Sequence, residues 1–143
     1  MRVMVIVKAS KESESQVLPD GKIHAEIGKY NEELVKAGVM LAAEGLHASA
    51  RGKRVRFSGA KPTVVDGPFA ETKELIAGFW LWQVKSIDDA VEWLKRAPFA
   101  GGTEVEIRPV FETADFYEKF APDNVEGRAK EEELRRVVEA RRG

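Results

Sequence analysis

Residues 75–84 read Leu-Ile-Ala-Gly-Phe-Trp-Leu-Trp-Gln-Val, the longest apolar stretch of the chain. Residues 3–7, Val-Met-Val-Ile-Val, form a second run that is apolar at every position. A strand in which both alternating sets of side chains are apolar is buried on both faces, so both runs are expected at the centre of a sheet. The placement of the remaining elements follows from these two central strands.

Two helical patterns and one hairpin pattern surround these strands. Gly38 is expected to end the first helix and Ser86 to begin the second. The hairpin is predicted over residues 54–65, with Val55 and Phe57 on one face. The apolar positions of the helices are Ile23, Ile27, Tyr30 and Leu34 in the first and Ile87, Ala90, Val91 and Leu94 in the second, where they are expected to form a buried stripe.

With the hairpin set aside, the elements follow the order strand–helix–strand twice. That order predicts an α+β protein with a ferredoxin-like βαββαβ sheet that has both helices on one face. In the last strand Val105 and Ile107 alternate with charged residues, and Pro109 follows. This pattern is typical of a strand at the edge of a sheet.

Helices on one face leave the other face of the central strands uncovered. Exposure of the Trp and Phe side chains there would cost about 25 cal/mol per Å² of apolar surface. A second copy that packs sheet against sheet in a two-fold homodimer removes this cost. The alternative is a cover within the chain, formed by the hairpin or the C-terminal segment.

The composition limits the classes of function. The chain has 143 residues, with 23 basic and 24 acidic residues, two histidines and no cysteine. Near-neutral charge gives no bulk attraction to nucleic acid or membranes, so neither is expected as a partner, although a local patch is compatible with it. The absence of cysteine excludes disulfides and thiolate chemistry. Because no targeting, metal or cofactor motif is found, we expect a cytoplasmic protein without cofactor or metal.

The C-terminal segment is highly charged. Residues 126–143 contain six basic and five acidic residues. Glu131 with Arg135, and Glu132 with Arg136, have the spacing of helical ion pairs. The segment is either a solvated helix or a contact for another subunit or a partner protein. Its narrow apolar stripe consists of Leu134, Val137 and Val138.

The run from Val65 to Glu74, Val-Asp-Gly-Pro-Phe-Ala-Glu-Thr-Lys-Glu, resembles the DGPF branch of the YCII-related family. The resemblance covers about residues 1–116, so we expect one domain there and a charged helical extension at 117–143. It implies a ferredoxin-like subunit of a dimeric α+β barrel. Some proteins of this wider superfamily are cofactor-free enzymes for small aromatic or lactone substrates. Genes of the DGPF branch often lie beside sigma-factor genes, which implies a regulatory setting.

The resemblance also extends to three shorter segments, while one feature of the family is missing. Short family members carry a His on the first helix and an Asp after the second, proposed as a catalytic pair. Ile27 and Ala97 stand at these positions, so the pair is not transferred to this chain. The shorter matching segments are Glu44-Gly45-Leu46, Gly78-Phe79 and Ile107-Arg108-Pro109-Val110.

Asp66, Glu44 and His47 are the candidate catalytic residues. Asp66 precedes a Gly-Pro turn, where a partly desolvated carboxylate acts as acid or base, or else caps its own turn. Glu44 ends a strand and is expected to face Asp66 in a cavity, or to pair with Arg54 or Arg56 at a rim. His47 lies on a loop, where it transfers protons near neutrality or faces solvent.

Four further residues are candidates for substrate binding: Phe69, Lys73, Trp80 and Trp82. Lys73 lies between two glutamates, so it binds an anionic substrate or neutralises its neighbours. Trp80 and Trp82 are expected to point to opposite faces of the sheet, one into a pocket under the helices and the other to the dimer face. The alternative for both is core packing.

Two functions of different class fit the sequence. The first is a small-molecule-binding dimeric barrel with cofactor-free acid–base chemistry. The second is a non-catalytic interaction or regulatory module, in a sigma-factor setting, whose charged C-terminal helix engages a partner. No motif decides whether the protein is an enzyme.

Overall fold

The computed structural model describes residues 1–15, 21–70 and 74–143. The strands within these ranges are β1 (Arg2–Lys8), β2 (Met40–Gly45), β3 (Lys53–Arg56), β4 (Thr63–Asp66), β5 (Ile76–Gln83) and β6 (Val105–Pro109). The helices are α1 (Lys11–Glu14), α2 (Gly21–Lys36), α3 (Ile87–Lys95), α4 (Thr113–Phe120) and α5 (Val125–Arg142), with a 3-10 turn at Ser49–Arg51.

A four-stranded antiparallel sheet carries the fold, with the strand order β2-β5-β1-β6. β1 pairs with β5 on one side and with β6 on the other, and β2 pairs with β5. β1 and β5 are therefore central and β6 is an edge, as the apolar patterns predicted. The predicted ferredoxin-like α+β fold with an inserted hairpin is confirmed.

One face of this sheet packs against α2 and α3. Val3 lies opposite Trp82 and Val5 opposite Trp80, and all four side chains are buried. The expectation that the tryptophans point to opposite faces is wrong, because residues two apart in a regular strand lie on the same side. The strand residues share one core cluster with helix residues Tyr30, Leu34 and Ala90.

The two core helices begin and end close to where the sequence predicts. Gly38, just beyond α2, has a φ of 71°, which favours glycine. Ser86 Oγ accepts a 3.1 Å hydrogen bond from the Asp89 amide and caps α3. The expectation that Ile87 and Val91 are buried is wrong, because they line an open groove and are 40% and 38% exposed.

The inserted hairpin forms a two-stranded sheet of its own. β3 and β4 pair from Lys53 opposite Asp66 to Arg56 opposite Thr63. This two-stranded sheet is distinct from the four-stranded one.

The chain divides into two compact units, Met1–Pro109 and Val110–Gly143. The first unit holds both sheets with α1, α2 and α3, and the second consists of α4 and α5. The sequence indicated α5 but not α4. The division into a domain at 1–116 and an extension at 117–143 stays a prediction.

Within the described ranges, no helix is both long and apolar enough to cross a membrane.

Glu131 joins the two helices of the second unit. Its carboxylate accepts a 3.1 Å hydrogen bond from Thr113 Oγ1 on α4 and pairs with Arg135 at 2.8 Å on α5. The hydrogen bond from Arg135 holds the pKa of Glu131 below its ordinary value. Glu132 pairs with Arg128 at 3.0 Å. The expected pair with Arg136 is wrong, because the carboxylate is engaged from the preceding helical turn instead of the following one.

Candidate functional site

The sheet face opposite the helices carries a set of apolar side chains. Met4 lies opposite Leu81 and Ile6 opposite Phe79, and all four side chains are half-buried. The core cluster takes its strand residues from the other face. We call these four residues the apolar sheet face. Within the first unit, α2 and α3 pack on the opposite side of the sheet.

Charged residues lie at two borders of the apolar sheet face. On β6, Glu106 lies opposite Ile6 and contacts Lys8 at 3.3 Å and Arg108 at 3.5 Å. On β2, Glu44 lies opposite Phe79. The Glu106 carboxylate is neutralised by its neighbours. The exposed Glu44 carboxylate makes no ion pair or side-chain hydrogen bond with any residue that the structure describes.

Gly78 lets β2 and β5 approach closely where Glu44 is held. A Cβ at Gly78 would lie 2.8 Å from the carbonyl oxygen of Glu44. Gly45 lies opposite Gly78, so the two strands meet there through backbone atoms alone. This close approach fixes the backbone that carries the Glu44 side chain.

Asp66 is exposed at the base of the hairpin and pairs with Lys53 at 2.5 Å. The sequence did not single out Lys53, although strand pairing places it directly opposite Asp66. Arg54, expected as a partner of Glu44, instead holds its guanidinium 3.8 Å from the centre of the Phe69 ring. Arg56 makes no contact with Glu44 in the described part of the chain.

The turn after Asp66 packs against the 3-10 turn. The Gly67 amide donates a 3.0 Å hydrogen bond to the carbonyl of Gly52, and the Phe69 amide donates to Ser49 Oγ at 3.1 Å. A Cβ at Gly67 would lie 1.8 Å from the Ser49 carbonyl oxygen. Glu14 accepts a 2.8 Å hydrogen bond from the Ser49 amide and so anchors this assembly to α1.

His47 precedes the same 3-10 turn and is exposed to solvent. The guanidinium of Arg51 lies 3.1 Å from the imidazole nitrogens. His47 and Asp66 therefore lie on loop segments that pack together. However, no hydrogen bond or ion pair links Asp66, Glu44 and His47 to one another within the described residues. Their joint action stays a prediction.

The candidate substrate-binding residues lie in different surroundings. Phe69 is half-buried under Arg54, and Lys73 lies outside the described residues. Trp80 and Trp82 are core residues whose ring centres lie 5.8 Å apart. Trp80 Nε1 donates a 2.9 Å hydrogen bond to Asn31 Oδ1, while the buried Trp82 Nε1 has no partner in the described ranges. Core packing is the alternative that the sequence left open for both tryptophans.

A groove of about 540 Å³ lies between α3 and β6. None of the candidate catalytic or substrate-binding residues lines it. The groove was not predictable from the sequence, because core residues and groove residues on a helix have the same apolar spacing. Residues that could hold a metal do not cluster anywhere in the described ranges. The groove is lined by Ile87, Val91, Leu94, Phe99, Val105 and Ile107, among others.

Comparison with known proteins identifies relatives. The YCII-related domain matches residues 1–114. An uncharacterized protein of Rhizobium meliloti (strain 1021) is 30% identical over 103 residues, which are 71% of this chain and 78% of that protein. The structure of 5-chloro-2-hydroxyhydroquinone dehydrochlorinase (TftG) of Burkholderia phenoliruptrix AC1100 with 2,5-dihydroxybenzoquinone is 18% identical. It aligns with a TM-score of 0.42 over 80% of this chain and 99% of that structure. Because the match to the YCII-related domain covers most of the 143 residues, this chain belongs to the YCII-related family.

Proposed function

We propose that the chain is a subunit of a two-fold dimer that binds a small organic molecule against the apolar sheet face. The observation that carries this proposal is the pairing of Met4 with Leu81 and Ile6 with Phe79 on the side away from α2 and α3. Apolar side chains left in water cost about 25 cal/mol per Å², which favours a cover. A second sheet packed about 10 Å away supplies one.

A dimer of this kind encloses space between the two sheets. Closed sheets of about eight strands have room for filling side chains or for one small ligand. Two copies of the four-stranded sheet bring eight strands together. The proposed ligand is therefore small and largely apolar, and it occupies the space that the facing side chains leave.

Glu44 is the proposed proton-transfer residue. It borders the apolar sheet face and has no cationic partner in the described part of the chain, unlike Glu106. A carboxylate that loses water without gaining a cation becomes able to exchange protons near neutral pH. A covering subunit would create that environment at Glu44. In this proposal, chemistry proceeds by proton transfer without a bound cofactor.

Asp66 and His47 have supporting roles in the proposal. Asp66 already pairs with Lys53, and His47 lies beside Arg51, so each has a neighbouring cation that Glu44 lacks among the described residues. We propose that they assist Glu44, His47 from the loop after β2 and Asp66 from the end of β4. Phe69 and Lys73 remain proposed as substrate-binding residues, and the two core tryptophans are proposed as positioning residues that act through the packing of β5.

The first experiment measures mass by light scattering and binding of 4-nitrophenol by equilibrium dialysis. The wild-type chain is expected to be a dimer that binds the probe. Leu81→Asp should give monomers without binding, because it places a carboxylate in the centre of the apolar sheet face. Val35→Asp is the matched control, since Val35 is an exposed apolar residue on α2. A monomeric wild-type chain would end the proposal.

A second measurement tests Glu44. The visible absorbance of 4-nitrophenol reports its ionisation, so a bound molecule next to Glu44 should have a different apparent pKa from the free one. Glu44→Gln is expected to remove most of that difference while the dimer persists. An equal difference in the variant would show that Glu44 does not contact the probe.

The interaction module remains a second candidate because of α5. Leu134, Val137 and Val138 are 53%, 45% and 51% exposed, so the stripe predicted from the sequence is accessible. We propose a sigma factor as the partner to test, following the family resemblance. Leu134→Asp with Val138→Asp should abolish binding of a purified sigma factor in a titration, whereas Val35→Asp should not. Equal binding by both variants would exclude this role for α5.

A further inference from the structure

The β3–β4 hairpin presents an apolar face to solvent. Val55 lies opposite Val64, and these side chains are 50% and 62% exposed. Phe57 follows Val55 by two residues and is 84% exposed. Phe57 directly follows Arg56, the last residue of β3, so it extends this exposed apolar set along the chain. Three neighbouring apolar side chains on a projecting hairpin indicate a contact surface.

The hairpin is also strongly basic. The hairpin residues 53–66 contain four basic residues and one acidic residue, whereas the whole chain has 23 basic and 24 acidic residues. The rest of the chain therefore has an excess of four acidic residues. Lys53 pairs with Asp66, but Arg56 and Lys61 have no ion-pair partner among the described residues. The hairpin is a cationic arm on an otherwise acidic chain.

The groove between α3 and β6 has the complementary properties. Its walls are mainly apolar, and its volume of about 540 Å³ accommodates bulky side chains. Asp88 on α3 and Glu104 just before β6 are exposed and have no ion-pair partner in the described ranges. Lys95, which lines the groove, is already paired with Glu92 at 2.9 Å. The residues that follow Ile87 and Thr103 of the groove lining in the chain therefore carry negative charges without an ion-pair partner in the described ranges.

The hairpin and the groove adjoin different strands of the four-stranded sheet. The hairpin is inserted between β2 and β5, while the groove lies beside β6, and the strand order is β2-β5-β1-β6. Neighbouring strands are about 4.8 Å apart, so β5 and β2, which the hairpin connects, lie about two and three strand spacings from β6. The exposure of Phe57 shows that the hairpin does not fill the groove of its own chain.

We infer that the hairpin is an arm that docks into the α3–β6 groove of a second copy of this chain. The inference rests on the proposed dimer and adds a second contact to it. Phe57 and Val55 enter the apolar groove, and Arg56 and Lys61 approach Asp88 and Glu104 of the other copy. Two-fold symmetry makes the exchange reciprocal, so both arms and both grooves are buried.

Engineered cysteines test this contact directly, because the chain contains no cysteine of its own. The double variant Phe57→Cys, Val91→Cys places one thiol on the arm and one in the groove. After mild oxidation, it is expected to run mainly as a covalent dimer on a non-reducing gel. The control Phe57→Cys, Val35→Cys moves the second thiol to the outside of α2 and should remain a single chain.

The other outcomes each overturn the inference. An oxidised single chain of increased gel mobility would place the arm in its own groove. A covalent dimer of the single variant Phe57→Cys would place arm against arm. No cross-link, in a protein that light scattering shows to be dimeric and that binds 4-nitrophenol, would remove the arm contact and leave the proposed function intact. A monomeric wild-type chain would remove both.

A charge swap and an oligonucleotide test whether the hairpin binds a second copy of this chain. Arg56→Glu should weaken the dimer at least tenfold, and Glu104→Arg in the same chain should restore most of that loss. Lack of restoration would overturn the proposed charge pairing. Fluorescein-labelled oligo(dT) should bind no better to wild type than to Phe57→Asp. Binding that depends on Phe57 would assign the arm to nucleic acid instead.

Discussion

The phenol of Tyr30 donates a 2.6 Å hydrogen bond to the backbone carbonyl of Trp93 and so joins α2 to α3. The Tyr30 ring lies edge-on to Trp80, with ring centres 6.0 Å apart. One side chain thus contacts both helices and the centre of the sheet. Because this side chain connects two helices and the sheet, its removal is expected to lower the stability of the fold.

Tyr30→Phe should lower the free energy of unfolding by about 1 kcal/mol, the typical net value of such a hydrogen bond. The loss is modest because the Trp93 carbonyl keeps a hydrogen bond from the Arg96 amide at 3.2 Å. Urea unfolding followed by circular dichroism measures the change. An unaltered midpoint would show that the hydrogen bond contributes no stability.

Stability should fall in strong base because of the same phenol. Burial raises the pKa of Tyr30 from 10.0 to about 12. The unfolded chain therefore loses this proton at a lower pH than the folded chain does. The stability that the protonated Tyr30 phenol contributes is fully present below pH 10 and is lost as the pH rises to about 12. Unfolding measured at several alkaline pH values should show a smaller decline in Tyr30→Phe than in wild type.

Gly67→Ala should destabilise the turn that carries Asp66. The added Cβ would lie 1.8 Å from the Ser49 carbonyl oxygen, so backbone must move. We expect a loss of about 1–3 kcal/mol, the usual range for overpacking. Gly28→Ala is the control, since nothing lies within 4 Å of its Cβ. It should raise stability by about 0.5–1 kcal/mol, because Gly28 lies within α2. Thermal unfolding of both variants shows whether the first loses stability and the second gains it.

Leu34→Ala and Val35→Ala should differ sharply although they are neighbours on α2. Leu34 is 0% exposed and Val35 is 56% exposed. The cavity left by Leu34→Ala should cost about 2–5 kcal/mol. The change at Val35 should remain within about 0.5 kcal/mol. Similar losses in denaturant unfolding would contradict the assignment of the core face of α2.

The sheet was predictable because its strands differ in burial. β1 from Val3 to Val7 and β5 from Phe79 to Trp82 are apolar on both sides, while β6 places Glu106 and Arg108 on the side away from the helices. A strand that is apolar on two sides and a strand that is apolar on one side therefore leave different patterns in the sequence. The same local reasoning predicted Gly38 at the end of α2 and Ser86 at the start of α3.

The candidate site was less predictable, because its contacts join residues that are distant in the chain. Arg54 and Arg56 were expected near Glu44, but hairpin pairing placed Lys53 opposite Asp66. Arg54 then stacked on Phe69. A charged residue has many partners of suitable sign in this sequence. The strand register and the packing of the loops determine which of these partners a charged residue contacts.

The sequence by itself determined the ferredoxin-like order of strands and helices. The apolar residues of each element recur with the period of a strand or of a helix, and this period is visible within a short stretch of sequence. The tertiary structure alone decided which polar groups lie together: it paired Asp66 with Lys53 and left Glu44 without a partner among the described residues. It also opened a groove beside α3 instead of burying Ile87 and Val91. The physical reason is that a contact depends on distances between separate elements, and residue spacing along one element does not set those distances.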